Sequence, residues 1–163
     1  MSVINPTKSS KKYIHYGSDH FDKDHFMKIK NCSIPWNKPE YDSGLWASPI
    51  DTDYGWIDYC IDNQINIKRL DKYFKFTLKK DSKIIKIRNN KDLDDKISES
   101  LILHTRHPTL IGDYLYFDFE KLTKDGYDAI EVYVNTNRIY MSLYGWDCDS
   151  LLVLNPDCII EIE

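Results

Sequence analysis

The sequence predicts an α+β domain. Short apolar or alternating runs recur along the chain and read as strands. Short amphipathic stretches with capping residues lie between them. The two kinds of element are interspersed without the regular strand–helix–strand spacing that builds a parallel sheet.

Composition bounds the rest. At 163 residues the chain is long enough for one domain with a sizeable core. A hydrophobic fraction of 42% with twelve Tyr and four Trp describes a folded chain, not a disordered one. The net charge of −4 gives no overall basic footprint for nucleic acid. Cys32, Cys60, Cys148 and Cys158 are widely spaced with no C-x-x-C, which fits thiols in a reducing compartment better than a zinc site or a disulfide frame. The N-terminus is polar and no apolar run approaches the ~18 residues of a membrane span. A soluble cytoplasmic protein with no membrane partner is the expectation.

Residues 1–12 are polar and Lys/Ser-rich and read as a flexible lead-in; residues 13–163 read as a single domain. Tyr13 to Tyr16 forms a first strand ending at Gly17-Ser18. His15 lies inside that strand, either as a core histidine or as a ligand contact. His20 and His25 suggest a metal, but an i,i+5 spacing does not share a helix face, so no metal is expected. Lys28 to Asp42 carries Pro35 and Pro39 and reads as a long surface loop bordering the site.

The organising stretch is Ser43 to Trp56. Gly44 permits a sharp turn or a close backbone approach. Leu45 and Ala47 face one way and Trp46 and Ser48 the other. Pro49 stops the strand, and Asp51 or Thr52 caps a helix beginning near Tyr54. An aromatic and a hydroxyl on one face, beside an aromatic-lined helix entrance, form a wall for a small molecule. The helix runs from Tyr54 to Gln64 with Ile57, Cys60/Ile61 and Gln64 on one face.

Tyr73–Leu78 alternates cleanly and is followed by a turn and a strand over Lys83–Ile87, a hairpin or strand pair. Lys75, Lys79, Lys80, Lys83 and Lys86 make the one basic cluster, a solvated sheet face or a phosphate contact. Asp92 to Leu103 is amphipathic and helical. Asp118 caps a short helix that Gly126 ends. Tyr127–Val134 is a strand, and Ile139–Leu143 continues the sheet. Tyr144–Asp149 is an acidic, aromatic bend. Ser150–Leu154 is a buried strand ended by Asn155-Pro156, and Ile159–Glu161 closes the chain.

The order of these segments resembles the ADP-ribosyltransferase superfamily, the fold of diphtheria-toxin-like and poly(ADP-ribose) polymerase catalytic domains. The motifs are His15-Tyr16-Gly17-Ser18 in the first strand, Gly44-Leu45-Trp46 with Trp in the place of Tyr, the aromatic helix entrance, and Ser150 to Pro156 in the late strand. The resemblance spans about Tyr13 to Ile160. It implies a split β-sandwich of two small sheets with short flanking helices. It also implies NAD as substrate, no metal, and transfer of ADP-ribose to a macromolecular acceptor, protein in preference to nucleic acid, in the manner of a bacterial or phage effector.

What the resemblance implies for the site follows residue by residue. His15, Tyr16, Gly17 and Ser18 hold NAD, with Trp46, Ser48, Tyr54 and Trp56 around the nicotinamide ring. The family's carboxylate at the start of the late strand is usually Glu, and here Ser150 stands in that place. Asp149 just before it is taken as the catalytic acid, with Asp147 and Glu131 as alternatives. Cleavage of the nicotinamide–ribose bond passes through an oxocarbenium-like state, which a nearby carboxylate stabilises. A histidine such as His15 fixes a ribose hydroxyl, and a cationic nicotinamide is drawn to an aromatic face. The competing expectation is a non-catalytic interaction protein that retains the fold, with its Tyr and Trp at a binding surface.

Overall fold

The computed structural model describes residues 10–32, 38–89, 91–92, 102–105, 114–134, 143 and 145–163. Its elements in chain order are β1 (Lys12–Tyr16), β2 (Leu45–Pro49), α1 (Trp56–Asn63), β3 (Tyr73–Leu78), β4 (Ile84–Ile87), β5 (Ile102–Thr105), β6 (Tyr114–Phe117), α2 (Phe119–Lys124), β7 (Ala129–Val132), β8 (Ser150–Val153) and β9 (Ile159–Ile162). Short 3-10 turns occupy Lys23–His25, Ile67–Arg69 and Pro156–Cys158. This is an α+β fold. Among the described residues no helix is long and apolar enough to cross a membrane.

Seven strands form one sheet in the order β4-β7-β8-β2-β1-β3-β9, and β5 and β6 form a separate antiparallel pair. All neighbours in the large sheet are antiparallel except β4 and β7, which are parallel. β1 meets β2 only over Tyr13↔Pro49 and Ile14↔Ser48, then the two part. That short seam divides the sheet into β1-β3-β9 and β4-β7-β8-β2.

β3 and β4 lie five strand positions apart, yet only Lys79–Lys83 joins them. Such a linker reaches at most ~20 Å, whereas five strand spacings in a flat sheet come to roughly 24 Å. The sheet therefore curls and its halves face each other. Tyr13, Phe74 and Phe76 from one half share a core with Ala47, Leu151 and Val153 from the other. The far face of the second half carries another core, where Phe119 and Leu122 of α2 pack on Ile85, Ile130 and Leu152.

Several elements differ from the sequence expectation. β3 and β4 do not pair as a hairpin: β3 lies between β1 and β9, and β4 pairs with β7. Alternation defines a strand but not its partner. Lys75 and Lys86 consequently fall on different halves of the sheet. The helix expected over Asp92–Leu103 gives way at its end to β5, whose Ile102 and Leu103 pair with Phe117 and Tyr116; residues 93–101 lie outside the described residues. Most of the lead-in and of the expected Ile139–Leu143 strand also lie outside them. The anticipated two separate sheets are instead joined through the β1–β2 seam.

α1 begins at Trp56, two residues later than expected, with Gly55 as its N-cap in place of Asp51 or Thr52. Asp58 Oδ2 accepts from Gly55 N at 2.8 Å, and Ser48 Oγ accepts from Trp56 N at 2.9 Å. These bonds satisfy helix-end donors that would otherwise lack partners. A Cβ on Gly55 would lie 3.2 Å from Ser48 Cβ, so glycine here lets the helix end close onto β2. Of the expected apolar face only Cys60 is buried; Ile57 and Ile61 are 37% and 57% exposed. The caps Asp118 and Gly126 stand where the sequence placed them: Asp118 Oδ1 accepts from Lys121 N at 3.0 Å, and Gly126 has φ +79°.

Candidate functional site

Where β1 and β2 part, a cavity of about 430 Å³ opens. Its floor comes from these two strands, one rim from Lys38–Asp42, and another from α1 and the turn after it. The fourth side is the Gly145–Cys148 bend with Ser150 at the head of β8. The size is that of a small-molecule site.

His15 contributes one wall. Its Nδ1 lies 2.7 Å from the Trp46 carbonyl oxygen, and its ring is 5.1 Å from that of Phe74. Burial is the main influence that holds the imidazole pKa below its usual 6.5; the nearby Arg69 charge acts the same way, and the Trp46 carbonyl opposes both. The ring is thus neutral near pH 7. A carbonyl only accepts, so the proton sits on Nδ1 and Nε2 keeps its lone pair. His15 offers a ligand a hydrogen-bond acceptor.

Trp46, Trp56 and Trp146 supply aromatic faces. Trp46 meets Trp146 edge-on at 4.8 Å between centroids, and Trp56 stacks on Tyr59 at 5.6 Å. Lys38 Nζ stands 5.8 Å from the Trp46 centroid and 3.7 Å from Asp147 Oδ2. Asp147, 37% exposed, brings its carboxylate to this wall. Ser48 lines the cavity while its hydroxyl holds the start of α1.

Tyr16 and Gly17 line the cavity too, and Gly17 has φ +114°. Ser150 Oγ donates to the Cys148 carbonyl at 2.8 Å. Burial pushes the Cys148 thiol up to about 11, so it stays protonated and is no nucleophile near neutral pH.

Four residues singled out from the sequence lie outside the cavity lining. Asp149 is buried, and its carboxylate accepts from Val134 N at 2.7 Å and from Thr52 Oγ1. Its own N–H donates to the Tyr54 carbonyl at 3.0 Å. Asp149 thus ties β8 to the approach of α1. Glu131 is fully buried and, alternating with Ile130 along β7, points with Ala129 between the two half-sheets. It accepts from Tyr13 Oη at 2.5 Å and Lys11 Nζ at 3.1 Å. Tyr54 donates to Asp62 at 3.0 Å, and Ser18 donates to the His20 carbonyl at 3.2 Å.

Lys38, Asn66, Arg69 and Trp146 also line the cavity, beyond the site residues expected from the sequence. The loop ending at Asp42 was expected to border the site, and Lys38–Asp42 do line it. The Tyr144–Asp149 aromatic bend carried a signal for Trp146. Asn66 and Arg69 follow α1 in a stretch with no motif. Among the described residues no group of three or more His, Cys, Asp or Glu is placed to hold a metal ion. No family model, curated protein or solved structure matches the chain.

Proposed function

We propose that this cavity binds NAD⁺ and that the chain is an NAD-dependent ADP-ribosyltransferase or NAD glycohydrolase. The observation that carries the proposal is convergence. His15 and Gly17, Trp46 and Trp56, and Asp147 and Ser150 come from three distant stretches of the sequence and meet around one cavity of small-molecule size. In this reading Nε2 of His15 accepts from a ribose hydroxyl.

Lys38 marks where positive charge is favoured, over Trp46 and against Asp147. The cationic nicotinamide ring of NAD⁺ can take over both contacts when Lys38 swings aside. Asp147 is then the carboxylate that stabilises the oxocarbenium-like state as the nicotinamide–ribose bond breaks and neutral nicotinamide leaves. Asp149, the acid first inferred from the sequence, has its oxygens engaged by Val134 and Thr52. The ADP-ribosyl unit passes to water or to an acceptor, a protein in preference to nucleic acid given the net charge of −4.

A second reading, a non-catalytic interaction protein with this fold, draws support from Ser150. At the head of β8 a serine, not a carboxylate residue, lines the cavity. The exposed Ile57 and Ile61 on α1 and Ile67 in the turn after it suit partner binding. Nicotinamide release from NAD⁺ separates the two. Turnover by wild type, reduced ~10²–10³-fold by Asp147→Asn and little changed by Asp149→Asn, supports the enzyme. A folded protein that binds no NAD⁺ supports the interaction protein.

A further inference from the structure

Of the cations lining the cavity, Lys38 faces Asp147, and the rim carboxylate of Glu40 lies 3.9 Å from Lys30. Arg69 is different. Among the described residues no carboxylate lies within ion-pair reach of its guanidinium. It is an exposed residue that nevertheless turns into the cavity mouth. There it lies over Gly17, where a Cβ would come within 3.6 Å of its Nη2. That is ordinary van der Waals contact, so the guanidinium rests against the end of β1, and glycine is required there by its φ of +114°.

The backbone that delivers Arg69 is unusual. Gln64 and Asn66, neither a glycine, both adopt left-handed conformations with φ of 54° and 52°. L-residues adopt this region at a cost and keep it where the surrounding structure requires it. Gln64 ends α1, and Asn66 opens the 3-10 turn whose last residue is Arg69. Arg69 N donates to the Asn66 carbonyl at 2.9 Å, closing that turn. Two reversals within three positions bring Asn66 and Arg69 together at the cavity mouth, while Lys68, between them, is not part of the lining.

We propose that Arg69 is an anion subsite at the mouth of the cavity, that it takes the diphosphate of the dinucleotide, and that it makes the site select phosphate-bearing pyridine nucleotides over the nucleoside. The identity of the ligand rests on the NAD⁺ reading above; the anion subsite does not. A planar guanidinium matches two phosphate oxygens at once, which suits it to this task better than an ammonium. Arg69 is a positioning residue: it anchors the far part of the ligand so that the ribose meets His15.

The test is calorimetric titration of wild type and Arg69→Gln with NAD⁺, nicotinamide riboside and inorganic pyrophosphate. Arg69 is exposed, so the glutamine variant should fold like wild type, checked by circular dichroism. One charge-assisted contact corresponds to roughly 10–100-fold in affinity. The proposal expects NAD⁺ and pyrophosphate to weaken by that factor while nicotinamide riboside is unchanged. Arg69→Lys should restore part of the loss. Equal weakening of NAD⁺ and the riboside overturns the subsite, and so does NAD⁺ binding that ignores the substitution; in both cases the NAD⁺ reading stands. If wild type binds neither NAD⁺ nor the riboside, the NAD⁺ reading fails and pyrophosphate decides. Pyrophosphate binding lost with Arg69→Gln keeps the anion subsite, and no pyrophosphate binding overturns it.

Discussion

Replacing Glu131 by alanine removes a carboxylate that is fully buried between the half-sheets and accepts from Tyr13 Oη at 2.5 Å and Lys11 Nζ at 3.1 Å. Burial first, and then the adjacent Glu131 carboxylate, raise the Tyr13 phenol well above its ordinary range, so Tyr13 is the donor throughout the working pH range. Two losses follow. The Tyr13 hydroxyl is left buried without an acceptor, at about 1–3 kcal/mol, and a charge-assisted bond worth about 1.5–3 kcal/mol disappears. Breaking a fully buried ion pair costs about 3–5 kcal/mol. Lys11 is 27% exposed and can turn to water, which places the sum near the lower end, about 3 kcal/mol. For a chain of this length that corresponds to a fall of roughly 6–12 °C in Tm. Glu131→Gln keeps an acceptor for Tyr13 and should lose only about 1–2 kcal/mol. Urea unfolding followed by tryptophan fluorescence reads both variants. An alanine variant less than about 1 kcal/mol below wild type would refute the account of this buried network. A glutamine variant of wild-type stability that no longer releases nicotinamide would move Glu131 into the chemistry.

Three further outcomes follow from the geometry. A Cβ on Gly44 would lie 2.7 Å from Ile29 Cδ1 and 2.9 Å from the Val153 carbonyl oxygen, at φ +73°; Gly44→Ala should therefore cost about 2–4 kcal/mol by overpacking and backbone strain, read as a lower urea midpoint. Asp149→Ala leaves the Val134 N–H without its 2.7 Å acceptor and should lose about 2–3 kcal/mol, whereas Asp149→Asn keeps an acceptor and most of the stability in the same assay. The His15 pKa is lowered from 6.5 in the folded chain, so between that value and the folded one the unfolded chain binds more protons. Stability is intact above pH 6.5 and falls as pH drops through the folded pKa; His15→Gln should flatten that part of the wild-type profile, and an unaltered slope would contradict a neutral, half-buried imidazole.

Local pattern carried the strands well and their pairing poorly. Tyr73–Leu78 was legible in full because aromatic and polar residues alternate at the strand period. Its partners were not, since β1 and β9 come from opposite ends of the chain and nothing in the alternation encodes them. The parallel pairing of β4 with β7 is equally non-local. His15, Gly17, Trp46 and Trp56 were legible as a group because strand ends and a helix entrance collect there. The carboxylates were not distinguishable. Glu131, Asp147 and Asp149 share one chemistry; the alternation of β7 turns Glu131 between the half-sheets, and the path of the bend before β8 brings Asp147, not Asp149, to the cavity. Arg69 was hidden for a different reason: its placement depends on left-handed backbone at Gln64 and Asn66, and of these only Asn is a residue type that favours that conformation.

The measurement closest to the central claim is nicotinamide release from NAD⁺ by wild type, Asp147→Asn and Asp149→Asn, with the folded state of each verified first. A site that cleaves NAD⁺ with Asp147 as its carboxylate gives release by wild type, a loss of ~10²–10³-fold with Asp147→Asn, and near-wild-type release with Asp149→Asn. Release that survives Asp147→Asn and vanishes with a folded Asp149→Asn would contradict this assignment, and so would a folded wild type that neither binds nor cleaves NAD⁺.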